Sequence, residues 1–341
     1  MLPGNGKNMR RGANKQNPLS QLLATRLVGQ PHALTQIVPY VRMYQAGLAP
    51  EGRPAGVFLL LGPTGTGKTR TVEVLAEALH GSEKNLLRVD CGEFQMEHEV
   101  AKLIGAPPGY LGHRETPPML TQQKLGTVAS EECDLSLLLF DEIEKAAPSM
   151  TRLLLGLLDK AVLRLGDNTT VNFERTLIFL TSNIGSRELQ RQIQPDFGFE
   201  SLTARTLEGS GSKLDSVGHA AVRKRFPPEF INRIDAVITY RPLDSVALTA
   251  IVDQQISALE KHIEKRLLDR AFDLEVTDSA RRFLLEKGTS ATYGARELKR
   301  TILREITQPL ANMLADGEIE PGDLVRVRVS AGELSIAVAN N

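Results

Sequence analysis

The stretch Gly62-Pro63-Thr64-Gly65-Thr66-Gly67-Lys68-Thr69 fits the spacing G-x-x-x-x-G-K-[ST]. Glycines in that pattern let successive backbone N–H groups turn toward one anion, and a helix opening at the end of the loop adds its positive dipole end. Phosphate is the ligand such a loop suits, with Lys68 reaching the β- and γ-phosphates and the Thr69 hydroxyl taking one Mg²⁺ position. ATP and Mg²⁺ are therefore the expected cofactors. Two acids close a second apolar run, Leu137-Leu138-Leu139-Phe140-Asp141-Glu142. Asp141 is expected in the Mg²⁺ shell, and Glu142 is expected to orient or deprotonate the attacking water, because phosphoryl transfer needs mainly positioning and charge stabilisation. Adjacent acids also open ordinary solvated helices; the phosphate loop upstream is what favours the catalytic reading. A third run ends Leu180-Thr181-Ser182-Asn183, where the amide is placed either to touch the γ-phosphate or water, or simply to cap a turn.

These residues need a scaffold that brings strand ends together. Residues 57–61 form an apolar run before the loop, and after it Val72, Leu75, Ala76 and Leu79 share one helical face up to Gly81, a helix-ending glycine. Residues 86–90, 135–140 and 177–180 read as three more buried strands, and residues 19–28 and 31–45 as helices. Continuous apolar strands alternating with amphipathic segments predict an α/β fold with a parallel sheet covered on both faces. Residues 194–221, rich in Gly and Ser, read as an exposed loop. From residue 243 the chain turns mostly helical, with segments to about 268, from 277 to 287, and from Gly294 to Gly317, where Leu298, Ile302, Ile306, Leu310 and Leu314 recur every fourth residue. Residues 324–329 and 334–339 alternate as a terminal β-hairpin. The expected units are a flexible basic tail (1–18), an α/β nucleotide-binding unit (19–241) and a small, mostly helical α+β lid (242–341).

Lys plus Arg and Asp plus Glu both number 41, so no charge excess argues for nucleic acid or an anionic membrane. Residues 1–50 carry Lys7, Arg10, Arg11, Lys15, Arg26 and Arg42 without one acid, which reads as a solvated tail rather than a nucleic-acid arm. No apolar stretch is long enough to span a bilayer and the N-terminus lacks an apolar signal core, so a cytoplasmic location is expected. Cys91 and Cys133 fit neither a disulfide framework nor a zinc pattern.

GPTGTGKT, LLLFDEIEK, FLTSNIGS, PPEFINRID and YGARELKR, in that order, resemble the second ATPase module of the Clp family of AAA+ unfoldases and disaggregases, over about residues 19–329. The resemblance implies a parallel-sheet ATPase with a helical lid, assembled as a homo-hexameric ring that threads polypeptide through a central pore. It makes Asn183 similar to the first sensor, Arg296 to the second, Val28-Gly29 to the adenine-side segment and Arg233 to the arginine finger. An ion pair with Asp235 is the plainer reading of Arg233 in an isolated sequence, and the resemblance sets it aside here. Since an arginine reaching a neighbour's γ-phosphate stabilises transition-state charge only after assembly, catalysis and oligomerisation would be linked. Tyr110 and Leu111, flanked by glycines in Gly105-Ala106-Pro107-Pro108-Gly109-Tyr110-Leu111-Gly112, make an apolar tip with no evident core to enter and are similar to the pore loop that grips substrate. Phe197-Gly198-Phe199 resembles the loop by which some Clp unfoldases dock a barrel-shaped peptidase, except that an aromatic stands where an aliphatic residue is usual. With one ATPase module in the sequence, a single ring is expected, and residues 160–169 lack the Gly-Arg pairs usual ahead of the first sensor. A nucleic-acid motor, the unfoldase subunit of a Clp-type protease and a non-motor ATP switch are the rival readings.

Overall fold

The computed structural model describes residues 18–106, 117–186, 188, 210–289 and 294–339. Helices α1 (Pro18–Arg26) and α2 (Pro31–Gln45) precede strand β1 (Gly56–Leu61) and α3 (Lys68–His80). There follow β2 (Leu87–Asp90), the short helices α4 (Val100–Ile104) and α5 (Gln122–Val128), β3 (Ser136–Asp141) and α6 (Pro148–Lys160). A small hairpin, β4 (Val162–Arg164) and β5 (Thr170–Asn172), leads into β6 (Thr176–Ser182). After it come α7 (Ser210–Arg225), the one-turn α8 (Pro228–Ile231) and β7 (Ala236–Thr239).

Five parallel strands form one sheet in the order β2-β3-β6-β1-β7. Because β6 lies between β1 and β3, the chain following β6 emerges between the loop after β1 and the acids after β3. Alternate side chains feed two cores. Val57, Leu59, Leu61, Leu138, Phe140, Ile178 and Leu180 pack on one face; Phe58, Leu60, Leu137, Leu139, Leu177 and Phe179 pack on the other beneath α1, α2 and α3. Every residue of β1 and β6 is buried. At about 1.5–3 kcal/mol for each large apolar side chain removed from water, these central strands fix the sheet's register.

The second set of elements comprises α9 (Ser245–Leu267), β8 (Asp273–Val276), α10 (Asp278–Gly288), α11 (Ala295–Ile302), α12 (Gln308–Ala315), β9 (Leu324–Ser330) and β10 (Glu333–Val338). Its own core includes Leu298, Ile302, Ile306 and Leu310, with Leu314 partly buried against it. The expected four-residue stripe is there, but a π turn at Leu303–Thr307 divides the helix. Pro309 explains the widened turn, since its ring would meet the carbonyl of residue 305 in a regular helix. The expected terminal hairpin is joined by β8, parallel to β9, which makes three strands.

Three expectations are corrected. Residues 210–225 form α7 rather than a loop; of its glycines, Gly218 sits where a Cβ would lie 3.0 Å from Thr239 Oγ1, so small size serves packing there. The strand expected at residues 86–90 is not wholly buried: β2 is an edge strand in which only Val89 is buried. β7, which completes the sheet beside β1, and the β4-β5 hairpin stand where no strand was expected. That hairpin abuts the stem of the glycine-flanked segment: Gly166 N–H donates to Ile104 O at 2.9 Å, and a Cβ on Gly166 would lie 2.3 Å from Gly105 O. Cys91 and Cys133 are free and buried, and no helix among the described residues is long and apolar enough to cross a membrane.

Candidate nucleotide-hydrolysis site

β1 delivers the phosphate loop to the carboxyl edge of the sheet. Gly62, Gly65 and Gly67 hold φ of 141°, 78° and 102°, values that L side chains rarely adopt. Gly62 has a second constraint, since a Cβ there would lie 2.6 Å from Tyr240 O. α3 opens at Lys68 with Gly67 as its N-cap, so its first N–H groups face the loop's concavity.

Lys68 is buried, and its Nζ donates to Gly62 O (2.6 Å), Pro63 O (2.8 Å) and Asn183 Oδ1 (2.9 Å). Burial lowers its ammonium to about 8, while Glu144, Asp141 and Glu142 act in the opposite direction and keep it mostly charged at neutral pH. Asn183 completes a bridge: its Nδ2 donates to Glu142 Oε1 at 3.3 Å, and its backbone N–H donates to Glu144 Oε1 at 3.0 Å. One amide thus joins the phosphate-loop cation to the acid expected to activate water. Glu144 Oε2 is buried and finds no hydrogen-bond partner among the described residues.

Asp141 accepts a hydrogen bond from Thr181 Oγ1 and pairs with Arg88. Glu142 N–H donates to the same Thr181 Oγ1 at 3.0 Å, and its carboxylate pairs with Lys145. The backbone of Glu142 is left-handed, φ 58°, a strained conformation for a non-glycine residue. Thr181 therefore anchors the acid that would meet the metal and the strained peptide of the acid beside it.

A cleft of about 310 Å³ collects these groups. Thr64, Gly65, Thr66, Gly67, Lys68 and Thr69 form one wall with Asp141, Glu142, Thr181 and Asn183, while Leu27, Val28, Leu243 and Ile251 supply an apolar end. Arg26, Arg70, Arg88, Arg296 and Lys299 also line the cleft, the first three ion-paired with Glu77, with Glu73 and Glu83, and with Asp141. The volume and the mixture of apolar, cationic and phosphate-loop lining suit a nucleotide. Thr69 and Asp141 offer a hydroxyl and one carboxylate, a hard-oxygen pair of the kind Mg²⁺ uses when phosphates and waters supply the rest.

The second unit closes the cleft through its backbone. Ala295 N–H donates to Gly65 O at 3.2 Å, and a Cβ on Gly294 would lie 2.9 Å from the same oxygen. Arg296, exposed at the first turn of α11, lines the cleft beside this contact. Gly29 is pressed against Leu243 and Ala247, where a Cβ would meet Leu243 Cδ2 at 2.8 Å. Arg233 is not in this cleft; it forms an ion pair with Asp159 (2.9 Å), while Asp235 binds Arg53 and the Val57 N–H, so the Asp235 ion pair, already set aside on the resemblance, is not formed. Tyr110, Leu111 and Phe197-Gly198-Phe199 lie outside the described residues.

Four participants escaped the sequence reading: Arg88, Thr181, Glu144 and Gln30, whose Nε2 donates to Thr66 O in the phosphate loop at 3.1 Å. Arg88 had a signal, being a cation between Leu87 and Val89 in a strand, and Glu144 lies two residues past Glu142. Nothing in the local sequence distinguishes Gln30 or Thr181.

A phosphate loop after β1, paired acids after β3 and an amide after the strand between them define a P-loop nucleotide hydrolase. Residues 53–237 match the model for an AAA domain (Cdc48 subfamily), and residues 243–327 match that for the C-terminal, D2-small domain of ClpB protein. The chain belongs to the AAA family of ATPases, carrying the small domain of the ClpB type. It is 38% identical over 318 residues to the chaperone protein ClpB of Meiothermus ruber, covering 93% of this chain and 34% of that protein. The ClpB of Aquifex aeolicus is 40% identical over 315 residues, covering 92% and 30% respectively. A closed-state cryo-electron-microscopy reconstruction of Hsp104 with ATPyS and FITC casein superposes with a TM-score of 0.76 at 31% identity, covering 94% of this chain and 51% of that one. The chain spans about a third of the length of these ClpB relatives.

Proposed function

We propose that this chain is the ATP-hydrolysing motor of a protein-remodelling chaperone, working as a ring of six in the cytoplasm and drawing polypeptide through a central pore. The observation that carries the reading is the bridge from Lys68 through Asn183 to Glu142, which links the phosphate-binding cation to the water-activating acid. On this reading Thr69 and Asp141 would hold Mg²⁺, which would supply neutralisation of the charge that develops on the phosphates. Glu142 orients or deprotonates the water, Asn183 senses the γ-phosphate, and Arg296 ties the lid to the phosphates. Val28 and Gly29 flank the base.

Arg233 is the trans-acting arginine. Its absence from its own chain's cleft, together with a partly exposed guanidinium whose one ion pair among the described residues is with Asp159, supports service to a neighbour. The mechanical units are residues 19–241 and 242–341, with residues 1–18 as a basic tail. Trapping the Glu142→Gln form with ATP and identifying co-purifying proteins tests the reading. Polypeptides held only in the ATP form support it; a trapped form that holds nucleic acid and no polypeptide overturns it.

A further inference from the structure

Gln30 occupies the N-cap position of α2, where a side chain ordinarily accepts from its own helix, yet it makes no capping bond. Its side chain turns across the molecule instead. Nε2 donates to Thr66 O in the phosphate loop (3.1 Å) and to Arg241 O (2.7 Å), and Oε1 accepts from Arg241 N–H (3.3 Å). The residue is 0% exposed, so water cannot replace these partners. Arg241 lies between the stretch that matches the AAA domain and the stretch that matches the D2-small domain. On one side of it Tyr240 N–H is tied to Leu61 O at 2.6 Å; on the other, Asp244 caps α9.

We propose that Gln30 is a positioning residue that couples the phosphate loop to the hinge at Arg241. The proposal rests on the reading of the chain as an ATP-driven motor and adds the element that transmits the loop's state. A shift of the Thr66 peptide has two outcomes. Either the amide follows and draws the Arg241 peptide with it, or a buried carbonyl loses its donor, an arrangement that costs more than the bond itself is worth. The same amide grips both polar groups of Arg241, so it senses rotation of that peptide as well as translation. Gly29, with no room for a side chain against Leu243 and Ala247, keeps the segment seated while this occurs.

The test compares wild type with Gln30→Met, which keeps length and burial without hydrogen bonds, and Gln30→Glu, which keeps the acceptor and loses the donor. Fluorophores on cysteines placed at the exposed Lys84 and Lys261 report the distance between the two units with ADP and with ATPγS; the native cysteines are buried. The wild-type distance should differ between nucleotides. In Gln30→Met the difference should vanish and kcat fall about tenfold while KM moves less than about threefold; the melting temperature should drop by a few degrees, because the buried partners of the amide are left unsatisfied. A Gln30→Met protein whose distance still responds as in wild type overturns the proposal, as does one whose KM rises by as large a factor as kcat falls. If neither variant folds, hydrogen exchange at the Arg241 amide of the wild type decides: a rate that changes between nucleotides supports the coupling, and an unchanged rate overturns it. A wild type that shows no nucleotide-dependent distance removes the motor reading and this proposal together, whereas an intact wild-type response that Gln30→Met retains removes only this proposal.

Discussion

Removing the charge of Glu142 while keeping its shape separates nucleotide binding from water activation. Glu142→Gln should bind ATP with affinity within about threefold of wild type and turn it over at least about 10²-fold more slowly, the usual scale for a general base. Equilibrium binding and single-turnover hydrolysis measure the two terms, and full hydrolysis would overturn the assignment. Arg233 poses the complementary case, since its guanidinium pairs with Asp159 away from the cleft. Arg233→Ala should lose turnover, by about 10³-fold on the scale of arginine fingers, with nucleotide affinity near normal. Mixing it with Lys68→Ala subunits should restore part of the activity, and no rescue at any ratio counts against action in trans.

At the scale of elements, α3 ends on His80, which is buried against Ser130 Oγ (3.1 Å) and Leu135 O (3.1 Å). Burial holds its imidazole below the ordinary value, outweighing the opposite pull of the Leu135 carbonyl. The folded state therefore resists a proton that the unfolded chain accepts as pH falls through about 6.5, so this histidine's contribution is present above that pH and lost below it. The melting temperature should fall between pH 7.5 and 5.5, and the fall should be smaller in His80→Gln; identical pH profiles would remove His80 from the cause. Why some elements were legible follows from the same local physics. Pro31 at the first turn fixed the start of α2, and Gly81, left-handed at φ 74°, fixed the end of α3. α7 was hidden because Gly209, Gly211 and Gly218 lower helical propensity, and Gly218 is needed against Thr239 rather than for a turn. In β2 the alternation Leu87-Arg88-Val89-Asp90 carried the hint, since a charged residue at every second position leaves one face open to water. The site divided likewise: Lys68, Asp141, Glu142 and Asn183 carry motif spacing, whereas Gln30 and Thr181 act through partners 36 to 211 residues away in one case and 39 to 40 in the other.

For the molecule as a whole, the question is whether hydrolysis reaches a substrate. Tyr110→Ala should leave ATP turnover near wild type while unfolding of a tagged test protein falls about tenfold, since truncating a well-used aromatic anchor typically costs more than 1 kcal/mol. Unchanged unfolding would remove the grip assigned to this residue. Phe199→Ala should leave ATPase and unfolding intact and abolish degradation in the presence of a Clp-type peptidase. If the wild type never stimulates such a peptidase, the docking role of Phe199 is removed.

The lid meets the phosphate loop through main-chain atoms on both sides, Ala295 N–H and Gly65 O. Every amino acid except proline brings the same N–H, and every residue brings the same carbonyl. Alanine scanning would therefore pass over this contact without registering it, and sequence drift at residue 295 would leave it intact. Chain length is what it cannot tolerate: one residue inserted or deleted ahead of Gly294 would carry the wrong amide to Gly65 and present a Cβ where 2.9 Å is already too close.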